Sequence, residues 1–141
     1  MRSKQQPIIS IINMDKILFV ALGGALGSSF RYILSLAIPK LLGKIAIWGT
    51  FTVNIIGALL IGILCAFYEN STVNDNVKLF LMVGILGGFT TFSSFALENL
   101  ILFRNGEIRT LFIYIFATNI LGLIAAFGGY YLSKGLLTNL Y

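Results

Sequence analysis

The least ordinary stretch of the sequence is Gly84-Ile-Leu-Gly-Gly-Phe-Thr-Thr-Phe-Ser-Ser-Phe95. Two adjacent glycines followed by two threonines are poor helix formers, so we expect a helix that is broken near Gly87–Thr91. A break at membrane depth frees backbone carbonyls, which are tolerated only where protein buries them or where a cation or water satisfies them. Phe92 and Phe95 follow the break three residues apart, and this spacing puts both rings on one helix face.

The composition places this stretch in a membrane protein. Of 141 residues, 57% are hydrophobic and 11% are charged, and the mean hydropathy is +0.92, whereas soluble domains carry about 25% charged residues. One cysteine and no histidine exclude an intrachain disulfide and imidazole chemistry. The net charge of +5 lies almost entirely outside the apolar runs. It indicates membrane-flanking charge, and no nucleic-acid partner is expected.

Four apolar runs meet or approach the length of about 20 residues that a helix needs to cross a bilayer. They cover approximately residues 17–38, 45–68, 78–103 and 109–133. We therefore expect an all-α membrane protein with four transmembrane helices, the third of them broken, in a cell inner (plasma) membrane. Residues 15–141 form its single domain, and residues 1–14 form a tail that the pattern does not assign.

The positive charges are balanced between the two sides that these spans define. Each side carries five lysines and arginines: Arg2, Lys4, Lys16, Lys78 and Lys134 on the side of the termini, and Arg31, Lys40, Lys44, Arg104 and Arg109 on the other. Because the excess of such charges orients a membrane protein, the balance favours insertion in both directions. Two opposite copies could then pair as an antiparallel dual-topology homodimer, which does with two chains what inverted repeats do within one.

The second span carries polar residues on one face, since Thr50, Asn54 and Gly57 are spaced i, i+4 and i+7. An asparagine at mid-membrane needs hydrogen-bond partners because lipid offers none. Two interpretations of Asn54 stay open: it holds two helices together, or its NH₂ group donates to an anion that it binds without trapping. Two interpretations of Phe92 and Phe95 also stay open: they are packing residues, or they form part of an ion path.

Three stretches together resemble the signature motifs of the Fluc (CrcB) fluoride channels, in the family's order and on its first three spans. They are Gly23-Gly-Ala-Leu-Gly-Ser-Ser-Phe-Arg-Tyr32, Gly49-Thr-Phe-Thr-Val-Asn-Ile-Ile-Gly57 and Gly87-Gly-Phe-Thr-Thr-Phe-Ser-Ser-Phe95. The resemblance covers roughly residues 15–133. The departures from the pattern are Ser94, where the family often has threonine, and the N-terminal tail.

The resemblance implies an antiparallel homodimer in the lipid bilayer, with two fluoride pores and a structural sodium ion (Na+) at its centre. The backbone carbonyls of Gly87 and Thr90 would hold the sodium ion. The residues implied along the fluoride pore are Asn54, Phe92, Phe95, Ser93, Tyr114 and Thr118. Arg31 is implied at the aqueous vestibule and Glu98 near the other end of the path, although a residue such as Arg31 at a span end also snorkels to the interface by default.

A small dual-topology proton-coupled multidrug exporter is the alternative function. It shares the four spans and the balanced charges, but it needs a membrane-embedded carboxylate to exchange protons for a cationic drug, and Glu98 is the one candidate. A purely structural subunit would leave the break unexplained. An enzyme is disfavoured because the sequence shows neither a nucleophile–base pair nor a cluster of metal ligands.

Overall fold

The computed structural model describes residues 13–42, 47–69 and 73–138, and nearly all of these residues are helical. Helix α1 is Met14–Leu42, α2 is Ile47–Glu69, and the last helix, α5, is Ile108–Thr138. The third span, Asp75–Arg104, consists of two halves. Its first half, α3, covers residues 75–89, and its second half, α4, is Phe92–Arg104.

All four spans are long and apolar enough to cross a membrane, as predicted. Each of them ends beyond the last residue predicted for it. Helix α1 begins at Met14, inside the predicted tail, and it continues through Arg31 and Pro39 without interruption. Residues 1–12 of that tail lie outside the described residues, as do Lys44 and residues 139–141.

Small residues bring the helices together in two pairs, α1 with α3 and α2 with α5. A Cβ added at Gly23 or Gly27 would collide with the backbone carbonyls of Phe80 and Ile85 on α3. A Cβ at Gly62 on α2 would collide in the same way with the carbonyl of Ala126 on α5. Close approach through glycine is the usual packing of membrane helices, and it explains why these positions carry glycine.

Helix α3 is itself irregular. One α-helical turn, Asp75–Lys78, leads into a π-helical segment, Leu79–Leu86, and a last α-turn, Gly87–Phe89. In a π-helical segment each hydrogen bond spans five residues instead of the four of an α-helix, and such segments are frequent at functional sites. Here one α-helical turn, Gly87–Phe89, separates the π-helical segment from the break.

The break predicted near Gly87–Thr91 is present and is confined to the two threonines. Thr90 has ψ 157°, and Thr91 has φ −148° and ψ 114°, so both are extended. The glycines before them remain helical. Helix α4 then starts at Phe92 with Thr91 as its N-cap, whose Oγ1 accepts a hydrogen bond from the Ser94 N–H at 3.2 Å. β-branched threonine suits an extended conformation better than a helical one, which explains why the chain breaks at this point.

A tight turn then folds α5 back against α4. Gly106 has φ 76°, a left-handed conformation that glycine adopts without a steric cost, and its N–H donates to the carbonyl of Phe103. The turn brings the first part of α5 against the face of α4 that holds Phe95 and Leu102. Those two residues form a buried cluster with Leu111 and Tyr114.

Candidate functional site

The amide of Asn54 is bound to the break in the third span. Its Nδ2 donates to the carbonyl of Thr91 at 3.1 Å, and its Oδ1 accepts from the Thr91 N–H at 2.8 Å. Both backbone groups of an extended residue at membrane depth are therefore satisfied by one side chain, as a buried break requires. The interpretation of Asn54 as a link between helices describes this geometry, and one Nδ2 hydrogen remains for a second partner.

The backbone carbonyls around the break differ in whether they have a hydrogen-bond donor. The Gly88 carbonyl accepts a hydrogen bond from Arg31 Nε at 3.0 Å, so Arg31 is tied to α3 through Nε. The Gly87 carbonyl loses its usual helical partner, because the Thr91 N–H donates to Asn54 instead. Within the part of the chain that the structure describes, no hydrogen bond reaches the Thr90 carbonyl either.

Glu98 lies on α4 between two hydroxyl donors from other helices. Thr50 Oγ1 on α2 donates to Oε1 at 2.7 Å, and Tyr114 OH on α5 donates to Oε2 at 2.6 Å. Thr50 and Tyr114 are 3% and 4% exposed, so both donors are buried beside the carboxylate. The resemblance implies Tyr114 along the fluoride pore and Glu98 near the other end of the path. In the structure the two side chains are hydrogen-bonded to each other.

The two phenylalanines after the break differ in their surroundings. The Phe95 ring is 8% exposed and lies 5.2 Å from the Tyr114 ring, centroid to centroid, whereas the Phe92 ring is 78% exposed. The Phe92 and Phe95 centroids are 5.8 Å apart, with an angle of 46° between the ring planes. One ring therefore belongs to the chain's own core, and the other projects from it.

A cleft of about 370 Å³ opens beside the break. Six of the predicted site residues line it: Asn54, Gly87, Thr90, Phe92, Phe95 and Thr118. None of its lining residues in the described chain carries a charge. The side-chain oxygen of Thr118 is buried and has no hydrogen-bond partner among the described residues, which is unusual for a buried hydroxyl.

The four remaining predicted site residues do not line this cleft. Ser93 is exposed, and its Oγ lies 3.3 Å from Thr91 Oγ1. Tyr114 and Glu98 contact each other beside Phe95, and Arg31 approaches the break through Gly88. The site thus has a cleft, a half-buried carboxylate with its two buried hydroxyl donors, and an arginine on the α1–α3 pair.

Sequence reasoning misses the two threonines that complete this arrangement. It places Thr50 on the same helix face as Asn54, but it does not identify Glu98 as the partner of the Thr50 hydroxyl. It identifies Thr91 as a helix breaker, without the hydrogen bonds that Thr91 Oγ1 makes with the Ser94 hydroxyl and backbone N–H. A Thr-Phe-Ser-Ser sequence after a break is an N-cap signal that could have identified it.

The chain is similar over most of its length to a family of known proteins. Residues 18–130 match the family model described as CrcB-like protein, Camphor Resistance (CrcB). A protein of Thermus thermophilus named fluoride-specific ion channel FluC is 44% identical over 123 residues, which cover 87% of this chain and 98% of that protein. Proteins of the same name from Parabacteroides distasonis and Agrobacterium fabrum are 40% and 41% identical, over 89% and 87% of this chain and 98% and 99% of their own lengths. With its four spans, the chain is therefore a multi-pass membrane protein that belongs to the CrcB family of fluoride-specific ion channels.

Proposed function

We propose that this chain forms a fluoride-specific channel through which the ion flows passively, and that two antiparallel copies build it. The observation that supports this most directly is the uncharged cleft beside the break, where two phenyl rings, an amide and a hydroxyl with no partner among the described residues meet at membrane depth. The relatives named fluoride-specific ion channels identify the ion.

The chemistry of the cleft suits a small anion in transit. Transferring an isolated ion from water to an apolar medium costs on the order of tens of kcal/mol, so protein donors must replace its water. Aromatic rings carry a positive edge that attracts an anion and a negative face that repels it. Thr118 and the remaining Asn54 hydrogen add neutral donors, which bind weakly enough for the ion to leave again.

The need for a second copy follows from what one chain leaves uncovered. Phe92 is 78% exposed, and the Gly87 and Thr90 carbonyls lie in the cleft region without partners among the described residues. Carbonyls at this depth need burial or a ligand. A partner copy related by a two-fold axis in the membrane plane would bring a second Phe92 and two more carbonyls to the same place.

We further propose that a sodium ion lies on that axis. Four neutral carbonyl oxygens, two from each chain, suit a hard monovalent cation, and oxygen-only sites disfavour transition metals. The residues present fit this ion, because Gly87 and Thr90 are the break residues whose carbonyls Arg31 and Asn54 do not take. When bound, the sodium ion supplies a fixed positive charge at the interface.

Sodium dependence offers a test that does not depend on transport. Purified dimer moved from sodium to a large organic cation such as N-methylglucamine is expected to lose thermal stability, because four buried carbonyls lose their ligand. The melting temperature should fall in the organic cation and recover when sodium returns. Equal melting temperatures in the two salts, at matched ionic strength, would contradict the sodium site.

The balanced charges predict that both orientations coexist in one membrane. A cysteine-free variant, Cys65→Ser, with a single reporter cysteine at the C-terminus should be labelled from both sides in comparable amounts. Adding two lysines next to Arg104 should shift the ratio and abolish function, because pairing needs both orientations. Labelling from one side alone, unchanged by added lysines, contradicts the dual topology.

The exporter alternative is not favoured by the site. A proton-coupled exporter needs a carboxylate in the substrate cavity, but both Glu98 oxygens accept hydroxyl hydrogen bonds, and Glu98 does not line the cleft. The Glu98 carboxylate instead links α2, α4 and α5.

Growth in fluoride tests the proposed function in cells. Expression of this chain in a bacterium that lacks fluoride export should restore growth at fluoride concentrations that stop the parent strain. Expression of a Phe95→Ile variant at the same level in the membrane should leave the strain sensitive. Failure of the native chain to restore growth, although it reaches the membrane, counts against the function.

A further inference from the structure

Asn119 is an amide in an unusual place. It is exposed on α5, roughly 17 Å from the start of that helix by the α-helical rise, which puts it deep in the hydrocarbon layer. A polar side chain at this depth faces protein or water rather than lipid. Asn119 lines the same cleft as Asn54, Phe95 and Thr118.

Its hydrogen bond is one that can be given up. Nδ2 donates to the Ile115 carbonyl at 2.8 Å, and that carbonyl, four residues earlier in an α-helix, also accepts the backbone N–H of Asn119. Releasing the side chain therefore leaves no unpaired carbonyl behind. Asn54 differs, because its amide holds both backbone groups of Thr91 and cannot leave them without a cost.

A second observation points to a ligand at the same position. The neighbouring Thr118 hydroxyl is buried without a partner among the described residues. One turn further, the cleft has room, since a Cβ added at Gly122 would meet only Ile55 Cδ1, at 3.9 Å. An orphan donor, a releasable amide and free volume thus lie together on one side of α5.

We propose that Asn119 is a further anion-binding residue of the fluoride path, whose amide turns from the Ile115 carbonyl to the ion as it passes Thr118. This inference rests on the proposed function. The exchange leaves the number of hydrogen bonds unchanged, because the ion takes the place of the carbonyl. The donor is neutral, and the ion is therefore not trapped.

Fluoride efflux from liposomes that contain purified dimer tests this role. Asn119→Ala should slow efflux about tenfold or more, as expected for one lost hydrogen bond to an ion. Asn119→Ser keeps a donor and should be faster than Asn119→Ala, whereas Asn119→Asp adds a repelling charge and should be slower still. The dimer should elute unchanged on size exclusion in all three variants.

Asn99→Ala is the matched control. Asn99 on α4 also donates Nδ2 to a carbonyl of its own helix four residues back, that of Phe95, at 2.7 Å, but it does not line the cleft. It should stay within about twofold of the native rate. Native-like efflux in Asn119→Ala, equal slowing in Asn99→Ala, or loss of the dimer in Asn119→Ala overturns the role of Asn119. If the native protein itself releases no fluoride, the proposed function fails instead.

Discussion

Replacing Phe95 or Phe92 with isoleucine is expected to reduce fluoride efflux by about a hundredfold or more. Isoleucine keeps much of the side-chain volume but has no positive ring edge for an anion. Phe95 is buried against Tyr114, so its replacement also costs some packing. Phe92 is 78% exposed in one chain, and its replacement should cost the folded chain little, so a loss of flux there reports on the ring itself.

The measurement is fluoride release from liposomes followed with a fluoride electrode, with size exclusion to confirm the dimer. Phe112→Ile is the matched control, because Phe112 on α5 is 53% exposed, stacks on Phe116 and does not line the cleft. It should conduct like the native protein. Retained efflux in both Phe92→Ile and Phe95→Ile would falsify the role of the rings in the ion path.

Asn54→Asp is expected to abolish fluoride efflux and to destabilise the protein. The change is nearly isosteric, but it replaces the donor to the Thr91 carbonyl, now 3.1 Å away, with an oxygen. Two acceptors would then face each other at membrane depth beside an unpaired charge, a cost of roughly a few kcal/mol. The same charge would repel an anion in the cleft.

Both effects can be measured on one preparation. The melting temperature of purified Asn54→Asp should fall, and its liposomes should release no fluoride above the background of empty ones. Thr52→Val is a suitable control, since Thr52 on the same helix donates to the Trp48 carbonyl and does not line the cleft. A native melting temperature and native efflux in Asn54→Asp would show that the amide NH₂ neither stabilises the break nor contributes to fluoride passage.

The spans and the break could be predicted because both depend on residues that are close together in the sequence. Apolar length defines a span, and two glycines followed by two threonines weaken a helix. The side-chain partners could not be predicted in the same way. The bonds of Arg31 to Gly88, of Asn54 to Thr91 and of Thr50 to Glu98 join residues 57, 37 and 48 positions apart.

Such bonds depend on how helices are shifted along one another, and periodicity does not report that shift. Helical spacing shows that Thr50 and Asn54 share a face, but it does not show which residue of the third span each one meets. The extended conformation of Thr90 and Thr91 adds to the difficulty, because it changes the rise and rotation of everything after Phe89. Glu98 therefore meets Tyr114, a pairing that an unbroken helix would not have indicated.

We propose that this protein passes fluoride, and not chloride, without coupling to another ion. Halide efflux from liposomes containing the native protein tests it most directly, with valinomycin present so that potassium balances the charge, and with and without a pH gradient. We expect rapid fluoride release, chloride release no faster than from empty liposomes, and a fluoride rate that the pH gradient leaves unchanged. Equal release of both halides, or fluoride movement driven against its gradient by protons, would contradict it.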